Sequence, residues 1–127
     1  MSRGALWTAR VCATLVVLFL AFDTTIHILN IQAVKDASVQ LGLPEGLMVK
    51  LGVLEAILLV LYLVPRTAIL GAILWTGYLG GAILTNLRVE LPLFSHVLFP
   101  TYVAALLWIP VYLREPRLRA LLPLRQA

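Results

Sequence analysis

In the stretch LFLAFDTTIHIL, Leu18 to Leu29, a carboxylate at Asp23 and an imidazole at His27 interrupt an otherwise apolar run. Four residues apart, they share one face of a helix. A third ionisable group, Glu55, stands in a second apolar run. Tyr78, Thr85, Asn86 and Arg88 follow in a third, and His96 opens a fourth. Two carboxylates beside an imidazole are the residue types of acid–base chemistry, in which burial and neighbouring charge decide which group holds a proton. Asp23, His27 and Glu55 are therefore the candidate catalytic residues. Tyr78, Thr85, Asn86, Arg88 and His96 offer donors and acceptors for the polar head of a substrate or ligand.

Other chemistries find less support. His27 and His96 could face one another near both carboxylates, but no HxxxH or ExxH pair lies within any one run, so no metal or haem is expected. No Gly-rich phosphate loop or nucleophile elbow is present, and the residues name no cofactor. Cys12 is the only cysteine, which excludes dithiol redox chemistry within one chain and reads as a buried structural residue.

The elements that must carry these groups follow from composition. Of 127 residues, 61% are hydrophobic and only 13% charged, the balance of a membrane protein with little left over for a soluble domain. A hydrocarbon core about 30 Å thick needs roughly 20 apolar residues per helix. Four runs approach that length: Ala5–Leu29, Leu47–Val64, Ala68–Leu87 and Leu93–Leu113. They are continuous and Leu-rich rather than alternating, which argues for helices over a β-barrel. The prediction is an all-α antiparallel four-helix bundle forming one transmembrane domain over residues 1–127, with a basic tail from 114 to 127. The first run has a basic start, yet no small-x-small site follows it, so it is expected to be retained rather than cleaved.

Basic residues set the orientation. Arg3, Arg10, Arg66, Arg114, Arg117, Arg119 and Arg125 fall on one side, against Lys35, Lys50 and Arg88 on the other, which predicts both termini in the cytoplasm. The net charge of +4 then reflects topology and anionic lipid, with no need for nucleic acid. At 1.5 Å per residue, Asp23 lies about 20 Å above Arg10 and Glu55 about 7–8 Å below Lys50, so the two meet in the outer half of the membrane. Tyr78, Thr85 and Arg88 share one stripe of the third run, with Asn86 beside it, and His96 starts the fourth at the same level. A pocket opening outward or toward the outer leaflet is expected there. The competing structural reading is an ion-pair network of Asp23, Glu55 and Arg88 that only fixes helix register.

Local signals refine this frame. NIQAVKDASVQLGLPEG should form a short amphipathic segment on the outer surface with Ile31, Val34, Val39 and Leu41 on its apolar face, stopping at Gly42 and restarting at Pro44. VPRTA is short enough to force a helical hairpin. GYLGG sets Gly77 and Gly81 one turn apart, a spacing that lets backbones approach within the bundle, in a homodimer or in a larger membrane complex. Pro100 leaves the His96 carbonyl without its helical donor, and Pro110 does the same to Leu106, so bending and a substitute partner are expected. The Arg- and Leu-rich tail suits the anionic inner leaflet.

The block Leu51 to Pro123, with the pieces LE, YL-x-PRTA-x-LGA, TGYLGG, LR and PLF-x-H-x-LFP, together with LFLAFD before it, resembles the DoxX-like family of small four-helix membrane proteins. Most bacterial members have no assigned activity; relatives include a membrane subunit of a thiosulfate:quinone oxidoreductase and an animal chaperone for nicotinic receptors. The resemblance implies a four-helix bundle in the cytoplasmic membrane, with Asp23, Glu55, Tyr78, Arg88 and His96 at recurring polar positions. It departs at His27, where many relatives have Lys, and at Asn86, where they have His. The leading functional expectation is a membrane-embedded pocket for a lipophilic small molecule, with a quinone inside a redox assembly as one candidate. The alternatives are a stand-alone enzyme, an isomerase or hydrolase working by acid–base chemistry on a lipophilic substrate, and an assembly factor or chaperone acting through the GYLGG face.

Overall fold

A computed structural model describes residues 2–125. It is all-α, and among the described residues there is no strand. The helices are α1 (Arg3–Leu29), α2 (Gln32–Leu41), α3 (Leu47–Leu63), α4 (Ala68–Arg88), α5 (Phe99–Arg114) and α6 (Pro116–Leu121). A 3₁₀ turn at Pro65–Thr67 joins α3 to α4, and a π-helical turn at Leu93–Val97 leads into α5.

Helix ends follow local chemistry. The Ser2 hydroxyl accepts the Ala5 N–H at 3.1 Å to start α1, and Asn30, left-handed with φ of 52°, ends it. Gly42, with φ of +71°, stops α2 as its sequence suggested. The restart differs from expectation: α3 begins at Leu47 rather than Pro44, because a turn carries the chain as far as Gly46. The inward face of α2 differs too. Val34 and Ser38 are buried while Val39 is 80% exposed, since the short helix meets its neighbour along only one narrow line.

Three segments are long and apolar enough to cross a membrane: Arg3–Leu29, Pro65–Arg88 and Leu93–Arg114. The run expected to span over Leu47–Val64 is helical, but at 17 residues α3 reaches only about 25 Å, short of a full hydrocarbon thickness. The fourth run is not one straight helix. Pro92 and Pro100 frame the π turn, and the amide that proline lacks is why α5 starts only at Phe99.

Helix α1 packs against α3 and α5, and α4 packs against the same two. All four helices feed one core: Val16 and Leu20 from α1, Leu58 and Tyr62 from α3, Ala72, Trp75 and Leu79 from α4, and Val103 and Leu107 from α5. Polar cross-links reinforce it. The Tyr62 hydroxyl donates to the Leu107 carbonyl at 2.6 Å, and the Trp108 indole donates to the Thr76 hydroxyl at 2.7 Å. The outer faces carry exposed Leu18, Phe22, Val60 and Leu84, the side chains of helices solvated by lipid.

Glycine decides how closely the helices approach. A Cβ on Gly71 would lie 2.6 Å from the Tyr62 amide nitrogen, and one on Gly52 would lie 2.9 Å from the Ile28 amide nitrogen and from the His27 Cβ. These two positions, not Gly77 and Gly81, bring backbones together within the chain. A Cβ on Gly77 or Gly81 would meet nothing within 4 Å.

Candidate functional site

The contact of α1 with α3 at Gly52 places the chemistry. Immediately before Ile28, His27 leans toward α3, and three residues after Gly52 comes Glu55, 0% exposed. His27 Nδ1 lies 3.2 Å from Glu55 Oε2 and 3.3 Å from Asp23 Oδ2. The same nitrogen lies 2.6 Å from the Asp23 backbone carbonyl. A carbonyl oxygen only accepts, so Nδ1 carries the proton and donates it there. The two carboxylates are then close in charge but receive no well-directed hydrogen bond from the ring. Neither Glu55 oxygen has a hydrogen-bond partner among the described residues, and the same holds for the buried Trp75 indole N–H and the Thr24 hydroxyl. A buried polar atom left unpaired costs about 1–3 kcal/mol, so such atoms mark places where something else is bound or where function outweighs stability.

Asp23, His27 and Glu55 open onto a cavity of about 550 Å³. Its walls come from α1, α3, α4, the π turn and α5, and Leu41 and Leu43 close it from the α2–α3 connection. Most of the lining is aliphatic or aromatic. Tyr78, Thr85, Asn86 and His96 also line it, so seven of the eight residues predicted from sequence border one space. Several are partly committed to local bonds. Thr85 donates to the Gly81 carbonyl at 2.8 Å, and His96 Nδ1 pairs with the Ser95 hydroxyl at 2.8 Å. The Asn86 amide donates to the His96 carbonyl at 3.4 Å and is the substitute partner that the missing amide of Pro100 calls for.

Arg88 is the exception. It does not line the cavity, because its guanidinium donates to the Leu41 carbonyl at the end of α2 and rests against Gly42. The ion-pair network of Asp23, Glu55 and Arg88 on which the competing structural reading rested is accordingly absent among the described residues, and His27 takes the central place in the contact. Gly77 and Gly81, expected at a backbone-to-backbone contact, line the cavity instead, and their missing side chains leave part of its volume open.

Two contributors carried no recognisable signal. Gly52 sits in LGVLE as one apolar-helix glycine among several, and only the position of α1 makes it essential. Trp75 is fully buried on the cavity wall, where a Leu-rich helix gives no hint of which aromatic faces inward. Asp23, His27 and Glu55 each offer a ligand atom within 4.8 Å of the others, a spacing able to hold a cation.

No curated protein and no solved structure matches the chain. A family model does match it over residues 11–110, that of the DoxX-like family.

Proposed function

The chain belongs to the DoxX-like family, and from that premise we propose that this multi-pass membrane protein binds a lipophilic small molecule in the cavity between α1, α3, α4 and α5. One observation carries the reading: Glu55, wholly buried and without a hydrogen-bond partner among the described residues, stands at the wall of a largely apolar space of about 550 Å³. That volume lies in the range of about 300–1,000 Å³ usual for small-molecule sites, and apolar walls with a few convergent polar groups are their usual make-up. The walls hold the body of the ligand, while Asp23, His27 and Glu55 meet its head and handle protons. Tyr78, Thr85, Asn86 and His96 complete the polar rim.

In this reading the four long helices form one antiparallel domain in the cytoplasmic membrane, termini on the cytoplasmic side, with the cavity toward the outer leaflet. Arg88 acts on the ligand only indirectly, by tying down the segment that supplies Leu41 and Leu43. A quinone within a larger redox assembly is one candidate ligand, its ring between the aromatic walls and its protons exchanged with the carboxylate–imidazole group. The test is native mass spectrometry and equilibrium binding on the purified full chain in nanodiscs. Saturable, competable uptake of a membrane-soluble compound is expected in the wild type and is lost in Gly77→Leu, whose side chain would fill the space. Uptake that never saturates, or that Gly77→Leu leaves intact, refutes the site.

The contact of His27 with both carboxylates favours a second reading, acid–base catalysis on a lipophilic substrate. Asp23→Asn and Glu55→Gln would then each abolish turnover in a folded protein. Turnover retained in both variants removes it.

A further inference from the structure

We propose that the head group bound beside Glu55 is an organic cation, an ammonium carried on a lipophilic body. This deepens the ligand-binding reading and rests on it.

At this end of the cavity stand two carboxylates, four acceptor oxygens in all when ionised. The nearest donor, the His27 Nδ1 proton, is directed to the Asp23 backbone carbonyl at 2.6 Å. Glu55, 0% exposed and lining the cavity, is left with both oxygens unpartnered among the described residues. The walls hold other donors, the Trp75 indole N–H and the Tyr78 hydroxyl, but none is hydrogen-bonded to Glu55 among the described residues, so a ligand that brings its own donors would satisfy it. An ammonium brings up to three; a ketone, ether or carboxylate head brings none.

Charge points the same way. Among the described residues no Lys or Arg lines the cavity; Arg88, two residues beyond the lining Asn86, is turned to the Leu41 carbonyl. A chain of net charge +4 thus keeps an acidic chamber inside. Two carboxylates face a single imidazole, so negative charge is in excess even with His27 protonated, and it repels anionic heads, which disfavours fatty acids and phosphate-bearing lipids as ligands. The walls add a matching feature. Phe19 with Phe99, and Trp75 with Tyr78, form two edge-to-face pairs with centroids 5.3 and 5.4 Å apart, and all four rings line the cavity. Carboxylates together with aromatic faces are the chemistry that recognises organic ammonium groups.

A bare divalent cation is the rival. It would find three ligand atoms within 4.8 Å. However, His27 Nδ1, the ring nitrogen that touches both carboxylates, is the one already donating its proton to a backbone carbonyl. The adjoining apolar space is also far larger than an ion needs.

The experiment uses the full chain in zwitterionic nanodiscs and three probes of one shape: adamantyl amine, adamantanol and adamantane carboxylate. Isothermal titration should show one amine bound per chain, at least about tenfold tighter than the alcohol, with the carboxylate weakest. Glu55→Gln should remove that preference, bringing amine and alcohol within about threefold. Asp23→Asn, a second variant in case the first misfolds, should reduce it. Alcohol binding equal to or tighter than amine binding in the wild type overturns the proposal while leaving the cavity a ligand site. Amine preference unchanged in both variants also overturns it. Failure of all three probes to saturate overturns the cationic proposal and the ligand-binding reading together. Zinc chloride is titrated in parallel: zinc that saturates, displaces the amine and is lost in both variants assigns the residues to a metal instead.

Discussion

Replacing Gly52 with Ala should separate α1 from α3 at the one place where their spacing sets the site. The added Cβ would stand 2.9 Å from the His27 Cβ and the Ile28 amide nitrogen, whereas ordinary contact begins at 3.4 Å. Neither obstacle is the free end of a flexible side chain, so the helices themselves must part by about 0.5 Å. Carried along the line between the helices, that displacement lengthens the 3.2 Å contact of His27 with Glu55 to about 3.7 Å. Overpacking of this kind costs about 1–3 kcal/mol, and the better helix propensity of Ala returns about 1, leaving a net loss of roughly 0–2 kcal/mol. Stability thus changes modestly while ligand affinity falls sharply. Two companions isolate the cause. Gly71→Ala meets the Tyr62 backbone at 2.6 Å, a larger overlap away from the carboxylates, and should lose more stability with less effect on binding. Gly80→Ala meets nothing within 4 Å and should gain up to about 1 kcal/mol from propensity alone. Denaturation midpoints in detergent and binding isotherms in nanodiscs provide both readouts. A Gly52→Ala protein that binds ligand like the wild type refutes the idea that this glycine sets the site.

Arg88→Ala should loosen the α2–α3 connection, which holds Leu41 and Leu43 over the cavity; amide exchange in Gln32–Leu41 and ligand release should both quicken, with about 1 kcal/mol or less lost in overall stability because the contact is exposed. Unchanged exchange would show that α2 is held by its packing on α3 alone. Tyr62→Phe removes a buried hydrogen bond to the Leu107 carbonyl and should cost about 1 kcal/mol while leaving ligand affinity unaltered, since Tyr62 lies outside the cavity. Glu55→Gln should leave the ligand-free protein within about 1 kcal/mol of wild type, because Glu55 has no hydrogen bond to lose among the described residues and Asp23 retains its 3.3 Å contact with His27. A loss above about 3 kcal/mol would make Glu55 a structural residue and return the cluster to the register-fixing role.

How much of this was legible depended on range. Asp23 and His27 are one helical turn apart, and counting rise from Arg10 and Lys50 brings Glu55 to their depth, so their approach follows from local geometry. The demand for a partner at the His96 carbonyl follows from Pro100 in the same way. Arg88 could not be placed by such counting. Its position on the Tyr78 stripe is fixed by α4, but its long side chain reaches past the helix end to a carbonyl 47 residues earlier. The glycines show the same limit. A one-turn spacing permits close approach without stating whether a partner arrives, and α1 and α3 happen to arrive at Gly52 and Gly71 rather than at Gly77 and Gly81. The length of α3 was legible: its apolar run ends at Val64, and the helix stops one residue earlier at Leu63, before Pro65.

The glycines of this chain do two opposite jobs, and the cavity is the result of both. Gly52 draws α3 against α1 beside the buried Glu55, and Gly71 draws it against α4 two turns further along, at Tyr62. Gly77 and Gly81, on the wall of the same space, withhold side chains where Leu or Ile would be the ordinary filling. A bundle selected for stability alone would fill that volume, since each missing methylene in a core costs about 1 kcal/mol, and would not strand a carboxylate beside it. Keeping both the void and the unpartnered Glu55 is two costs borne at one location. A single bound molecule, apolar along its length and hydrogen-bond donating at one end, removes both at once, and neither a purely structural ion pair nor a protein-contact surface removes either.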